Sequence, residues 1–417
     1  MPSVLFTNRV YPPASGATGA VLAEMAGALV ERGWDVTVVT GPADGASDSE
    51  VTDAGVRVER VGALQFTRAS TWKRALAYLS HYPAMLTRML RLPRPDVVVT
   101  KTDPPLQLVL GALYHQIAGV PAVHWAQDLY PEIAEALGVI PEGGAFAGML
   151  RKISTASLRQ HNHIVAVGRC MKENITGRGI DARRVSVVPN WAPDTVSPVP
   201  HGENPFRAAQ DLDGRFVVMY SGNMGLAHPF DAVLDAAAAL EEERPDVQFV
   251  FVGEGPRKSD LQAQVRQRAL GNVQFLPFQP YEELDQSLSA ADLHLVTMEK
   301  EAEGLVVPSK MYGALAAGRP ALFLGPEGSE AARIVRDAAC GTVIPESSGT
   351  AIAEVIRRWQ DDDQRNTAGE RAHAAVADGF ERAVGAFDQI LQQVARDQTV
   401  EPVLALPDPV ATGWSDE

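Results

Sequence analysis

A two-domain α/β protein with doubly wound parallel sheets is the architecture this sequence predicts, and three observations carry it. Short apolar runs alternate with helical stretches from the first residues onward, as expected for strands covered on both faces. The alternation breaks once, in a polar segment between Trp191 and Gly214 that holds Pro193, Pro198, Pro200 and Pro205, and then restarts. The 417 residues also exceed the roughly 100–200 that one core usually serves.

Taken in order, the first half reads as a strand at 4–7, a loop with Pro12 and Pro13, a helix at 20–32 stopped by Gly33, and a strand at 36–40. It continues with strands at 96–100, 122–127, 164–168 and 185–189, a helix at 106–118 stopped by Gly119, and another at 146–160. After the break, strands are expected at 216–220, 248–252, 273–276, 293–298 and 321–324. Helices at 230–243, 257–269, 282–290, 309–317 and 331–338 separate them or follow the last. The resulting division is residues 1–197, 198–380, a terminal helix at 381–396 returning toward the first domain, and a disordered Pro- and acid-containing tail at 397–417.

Hydrophobic residues make up 46% and charged residues 21%, which suits a folded, water-soluble chain. A net charge of −15 argues against nucleic acid as a partner for the whole surface. Residues 1–200 hold 19 basic and 17 acidic residues; the remainder holds 18 and 35. Cys170 and Cys340 are far apart and suggest neither a disulfide framework nor a zinc site. The first residues lack a signal-peptide pattern and no run of about 18 apolar residues occurs, so a cytoplasmic protein is expected.

Ligands of doubly wound sheets are expected beyond the carboxyl ends of the strands, here in a cleft between two such domains. In the loop after the first strand, Gly16 and Gly19 offer close approach to a ligand, or merely turn the chain. After the first strand of the second domain come Gly222, Asn223 and Gly225; after the next come Gly253, Gly255, Arg257 and Lys258. Two glycine turns ahead of helices are expected to leave backbone N–H groups free for phosphate oxygens, with simple turn chemistry as the alternative. Pro308 and Ser309 suit a helix start, which puts Lys310 in a first turn where a cation is disfavoured. A bound anion removes that conflict; a solvated lysine is the bland alternative. Asp211-Leu212-Asp213 and Asp361-Asp362-Asp363 read as surface charge, and no metal site is expected.

The order Tyr11-Pro12-Pro13, Gln127-Asp128-Leu129-Tyr130-Pro131-Glu132, Ser221-Gly222-Asn223, Val252-Gly253-Glu254-Gly255-Pro256 and Pro308-Ser309-Lys310-Met311-Tyr312-Gly313 resembles glycosyltransferase family 4, in its WbuB-like branch, up to about Phe380. The resemblance implies the GT-B fold, a nucleoside-diphosphate sugar in the C-terminal domain, an acceptor in the N-terminal domain and retention of configuration. It implies a donor diphosphate at Gly222, Asn223, Gly225, Ser309 and Lys310. Gly253, Gly255, Arg257, Glu301, Glu303 and Gly304 are then candidates for the nucleotide and sugar, and Gly16, Gly19, His124 and Asp128 for the acceptor. Asp128, Lys310 and Glu303 are the catalytic candidates. The family's two glutamates separated by seven residues fall on Leu305 and Gly313, so Glu301 or Glu303 has to replace the first. The basic positions after its glycine turn fall on Asn223 and about His228. His124 alternates with apolar neighbours and reads equally well as a core histidine.

No cofactor or metal is expected, because developing charge on a leaving diphosphate can be met by preorganised donors and one cation. The expected enzyme transfers a hexose from a UDP-linked sugar to a glycan or lipid-linked acceptor for surface polysaccharide, lipopolysaccharide or glycolipid. A GT-B-shaped epimerase and a noncatalytic sugar-nucleotide sensor stand as alternatives. Between Arg57 and Lys101, nine basic and two acidic residues interleave with Trp72, Tyr78, Tyr82, Leu86, Met89 and Leu90. That pattern suits docking on an anionic bilayer at the inner face of the cell membrane, or an ordinary helix with a core stripe.

Overall fold

The computed structural model describes residues 1–14, 16–62, 71–225, 230–397 and 400–407. It forms two compact units. The first comprises Met1–Pro189, Gly304–Val306 and Glu381–Leu406; the second comprises Asn190–Glu303 and Val307–Phe380.

The first unit carries strands β1 (Ser3–Thr7), β2 (Asp35–Thr40), β3 (Ser49–Val51), β4 (Arg57–Arg60), β5 (Val97–Thr100), β6 (Ala122–Ala126), β7 (His163–Ala166) and β8 (Val185–Val187). They lie in the order β3-β4-β2-β1-β5-β6-β7-β8. All neighbours are parallel except the short β3-β4 pair. Val4 faces Val36 on one side and Val97 on the other, which makes β1 and β5 central, and both consist mostly of buried apolar residues. The chain runs outward from β1 in one direction and from β5 in the other. Their carboxyl ends therefore flank a topological switch point, where a sheet of this kind opens a crevice.

The second unit carries β9 (Phe216–Ser221), β10 (Val247–Val252), β11 (Val273–Leu276), β12 (Leu293–Thr297), β13 (Ala321–Leu324) and β14 (Gly341–Ile344) in the parallel order β11-β10-β9-β12-β13-β14. Its switch point lies between β9 and β12. β3, β4 and β14 go beyond the expected strands: β3 is only Ser-Glu-Val and β14 opens on glycine, so neither shows an apolar run.

The helix Gly379–Ala395 lies in the first unit along most of its length. Trp34 Nε1 donates to Asp388 Oδ1 at 2.8 Å, and the rings of Phe387 and Trp125 are 4.5 Å apart. Residues 400–407, expected as disordered tail, instead run along the edge of β8. Val187 N donates to Val403 O (2.8 Å), Ala405 N to Val187 O (3.0 Å) and Val403 N to Ser186 Oγ (2.9 Å), while Val400 is buried. This stretch, Val-Glu-Pro-Val-Leu-Ala-Leu-Pro, is apolar apart from Glu401, and it covers a strand edge that would otherwise be exposed. The remainder of the expected tail, 408–417, lies outside the described residues. Ending the chain at Asp397 is expected to destabilise the first unit by about 2–4 kcal/mol, from three hydrogen bonds and one buried valine. Calorimetry that shows an unchanged first transition would contradict this.

Candidate functional site

In the second unit, Tyr220 and Gly222 close β9, Gly253 and Gly255 follow β10, and Ser309 precedes the helix Lys310–Ala316. A Cβ on Gly222 would stand 2.6 Å from Lys310 Cε, so the absence of a side chain makes room for the lysine stem. Gly253 has φ 136° and sits where a Cβ would meet Gly222 O at 2.1 Å. Gly255 sits equally close to the Met224 backbone. These contacts interlock the β9 and β10 loops.

The amides expected to be free for phosphate are largely spent. Gly222 N donates to Val252 O (2.9 Å), Gly253 N to Leu276 O (3.0 Å) and Gly225 N to Asn223 O (3.0 Å). These glycines serve close backbone packing, and Lys310 is the donor they frame. Its Nζ donates to Tyr220 Oη at 2.6 Å and lies 4.6 Å from the Tyr220 ring centroid, while Tyr220 Oη donates to Asn223 O at 2.7 Å. Burial lowers the Lys310 ammonium to about 8. It makes that one hydrogen bond among the described residues, leaving two of its three N–H donors available. Ser309 is exposed and its hydroxyl caps no helix amide.

Arg257, a candidate for the nucleotide, is instead engaged with Asp231 (3.2 Å) and Asp260 (3.4 Å). Lys258, not among the sequence candidates, donates to Gly253 O (2.8 Å) and Glu254 Oε1 (2.6 Å), which makes it the second cation at these loops. Glu301 and Glu303 are exposed after β12, with the Glu303 carboxylate against Gly328 beyond β13. Gly313 is buried in the Lys310 helix, where a Cβ would stand 3.2 Å from Leu288 Cδ1, so a side chain at the position of the missing glutamate needs Leu288 to shift by a few tenths of an ångström. His228 lies outside the described residues.

In the first unit, the loop after β1 holds Asn8 and Arg9. Asn8 Nδ2 donates to Val10 O at 2.6 Å, and Arg9 forms a two-pronged pair with Asp103 at 2.7 and 2.9 Å. Gly16 and Gly19, expected at the acceptor, are packed on Val10: a Cβ would lie 2.9 Å from its Cγ1 and 2.8 Å from its O, respectively. His124, another acceptor candidate, is 2% exposed inside β6, with Nδ1 3.0 Å from Thr100 O. Burial and the neighbouring His161 drive it down to about 3, so it is a neutral core histidine. Gly304, a donor candidate, packs on the Cys170 carbonyl in this same unit, with φ 68°.

Asp128 is half-buried beyond β6. Its backbone pairs with Val306, Leu129 N donates to Leu305 O at 2.9 Å, and Thr102 Oγ1 accepts from Asp128 N at 3.3 Å. Burial and Asp103 raise its carboxyl to about 6, against the pull of Lys101. Lys101, which the sequence shows only as the end of a basic stretch, is fully buried beyond β5. Its Nζ donates to Thr18 O at 3.0 Å and stands 3.8 Å from the Trp125 ring centroid. Burial lowers it to about 7.

These shifts have opposite signs in stability. The raised Asp128 contributes stability at low pH that is lost as pH climbs toward about 6; the depressed Lys101 contributes stability at high pH that is lost as pH falls through about 7. Their joint contribution is therefore expected to be smallest between about 6 and 7. Thermal melts of the wild type minus those of a Lys101→Met, Asp128→Asn double variant, taken from pH 5 to 9, should show that minimum; a flat difference contradicts it.

In the basic stretch, Leu90 is exposed, while other apolar side chains of the expected docking face serve the core. Met89 is buried, and Tyr82 and Leu86 pack against the same core cluster. Arg60 pairs with Glu50, and Arg88 with Glu59. Residues 63–70 and the side chain of Trp72 lie outside the described residues.

Residues 16–191 match the family model described as a glycosyl transferase 4-like domain, and residues 203–375 match glycosyl transferases group 1. The chain is 28% identical over 267 residues to the probable glycosyltransferase WbjE of Pseudomonas aeruginosa, covering 64% of this chain and 66% of that one. It is 27% identical over 341 residues to the putative colanic acid biosynthesis glycosyl transferase WcaI of Escherichia coli, covering 75% and 81%. Among solved structures, sucrose-phosphate synthase from Thermosynechococcus elongatus superposes with a TM-score of 0.75 at 17% identity, covering 95% of this chain and 100% of that one. Anabaena HepE in complex with UDP-glucose superposes at 0.68 and 18% identity, covering 95% and 98%.

Proposed function

The chain belongs to glycosyltransferase family 4, and from that premise we propose that it moves a hexose from a UDP-linked sugar to a glycan or lipid-linked acceptor with retention of configuration, in surface polysaccharide or glycolipid assembly. The relative WcaI, named for colanic acid biosynthesis, and the HepE structure with UDP-glucose support the process and the donor. The observation that carries the donor site is the half-buried Lys310 ammonium, with donors to spare, at the switch point of the second unit.

Breaking the bond from sugar to diphosphate leaves negative charge on the outer phosphate. A cation already held in a low-dielectric place stabilises that charge without reorganisation. Tyr220 orients Lys310, and Gly222 admits its stem. This stabilisation needs no metal. Asp128 is the acceptor anchor or base, and Glu303 the carboxylate nearest in role to the missing glutamates. Thermal-shift screening against UDP-, GDP-, dTDP- and ADP-glucose tests the donor, since a ligand of the native state raises its melting temperature. UDP released from UDP-glucose many-fold faster with a glycan acceptor than with water alone separates a transferase from an epimerase or a sensor.

A free lysine near 8 also predicts proton uptake on binding. At pH 8 about half of the lysines are neutral, and the diphosphate selects the charged form. Titration calorimetry of UDP at pH 8 in buffers of different ionisation heat should therefore show uptake of a fraction of a proton, and affinity should fall toward pH 9. Proton release instead would exclude Lys310 as the phosphate cation.

A second face also suits a membrane contact. On the helix Ala145–Gln160, Phe146, Met149 and Ile153 are exposed beside Lys152 and Arg159, and the neighbouring helix Leu108–Ala118 exposes Leu113 and Ile117. Apolar side chains flanked by cations with no exposed acid on the helix suit an anionic interface. No described helix is long and apolar enough to cross a membrane. Co-sedimentation with vesicles containing phosphatidylglycerol should drop several-fold in a Phe146→Ser, Met149→Ser, Ile153→Ser variant; equal binding would remove this face from consideration.

A further inference from the structure

A lysine with no exposed surface is uncommon, because an ammonium leaves water only at a steep cost unless something answers its charge. Lys101 follows β5 directly and so stands at the switch point of the first unit, beside the β1 loop and the first turn of the helix Ala17–Glu31. What surrounds it does little to satisfy it. One N–H reaches Thr18 O, the ring of Trp125 lies beneath the ammonium, and no other acceptor meets it among the described residues. A lysine kept for packing alone could be a methionine at lower cost.

The neighbouring strand end supplies the reason. Thr100 is in register with His124, and beyond that pair Thr102 Oγ1 accepts from both Gln127 N (2.8 Å) and Asp128 N (3.3 Å). The loop of Lys101 and the loop of Asp128 are thus fastened together, and the two charges act on one another. The other charged and titratable groups around Asp128 do not offer it a cation. Arg9, from the β1 loop, is committed to Asp103, and that second carboxylate opposes ionisation of Asp128. Tyr78 lies under Arg9, and His81, on the same helix Thr71–Arg91, is driven down to about 4 by burial and by Arg9. On the Asp128 loop itself, Tyr130 is raised by burial and by Asp128, and Glu132 is paired with Arg151 and Arg178.

We propose that Lys101 is the counter-cation that keeps Asp128 ionised at the carboxyl ends of β5 and β6, and is therefore a positioning residue for the acceptor reaction. This rests on the reading of Asp128 as acceptor anchor or base. A carboxylate that binds or deprotonates an acceptor hydroxyl must be charged at working pH, yet burial and Asp103 both favour the neutral acid. A buried ammonium held away from solvent restores the charge and is itself too enclosed to compete for the acceptor.

The test measures the charges directly on the full chain. Protein labelled with ¹³C at aspartate carboxyls and ¹⁵N at lysine side chains is titrated by NMR, with Asp128→Asn and Lys101→Met assigning the two signals. The Asp128 midpoint, near 6 in the wild type, is expected to rise by at least about one pH unit in Lys101→Met and in Lys101→Gln. The Lys101 midpoint, near 7, is expected to fall by a similar amount in Asp128→Asn. Midpoints that stay in place overturn the pairing, and so does an unmoved lysine in Asp128→Asn if neither Lys101 variant folds. A purely packing lysine would lower the melting temperature on replacement without moving Asp128. Release of UDP from UDP-glucose with water as acceptor separates the two readings. If Asp128→Asn leaves it unchanged, the role given to Asp128 fails. If Asp128→Asn loses at least ten-fold while the Asp128 midpoint ignores Lys101, only the role given to Lys101 fails.

Discussion

Lys310→Ala is expected to bind UDP about 10- to 100-fold more weakly than the wild type, the value of one or two hydrogen bonds to a charged group in a partly desolvated place. Transfer should fall further, by about 10²–10³-fold, because the charge on the leaving diphosphate grows toward the transition state. The substitution removes a half-buried ammonium whose one hydrogen-bond partner among the described residues is a phenol that also bonds Asn223 O, so the fold should tolerate it. Calorimetry with UDP and a coupled assay for its release read the two effects separately. A variant that binds UDP as tightly as the wild type removes the diphosphate from this lysine.

Gly253→Ala should be among the more damaging single methyl groups in the second unit. The residue has φ 136°, outside the range L-residues adopt readily, and the new Cβ would stand 2.1 Å from Gly222 O. Backbone must move on both loops, at a cost of about 4 kcal/mol or more. Gly214→Ala is the control in the same unit. Its φ is 72° but nothing lies within 4 Å of the added carbon, so only the conformational cost of about 1–2 kcal/mol applies. Calorimetric scans should show the second-unit transition displaced far more by the first substitution, and UDP binding lost with it. Equal shifts would mean that the β9 and β10 loops can separate without cost.

The strands were legible because parallel strands buried on both faces appear as bare apolar runs, such as Val-Val-Val-Thr at β5 and Ala-Leu-Phe-Leu at β13. β3 and residues 400–407 were not. β3 is too short and polar to show an apolar run and is held by its antiparallel pairing with the nearby Arg57–Arg60, while residues 400–407 take their place from Val185–Val187, distant in sequence. Lys310 was legible as an electrostatic anomaly at a helix start. The glycines beside it were found as turns but given the wrong work, because whether an amide is free depends on a carbonyl from another strand, such as Leu276 O for Gly253.

Periodicity, punctuation by glycine and proline, and ordered motifs were enough for the two α/β halves and the family. Each of these signals is local, written within a window of one strand or helix. The protonation of Asp128, the enclosure of Lys101, the withdrawal of His124 into the core and the tight contact of the Gly313 position all required the folded chain. Each depends on desolvation and on charges brought together from segments far apart in sequence: Thr18, Trp125 and Asp128 converge on Lys101, and Leu288 on Gly313. Burial in that sense has no periodicity to reveal it, and it sets which ionisable groups can carry charge for chemistry.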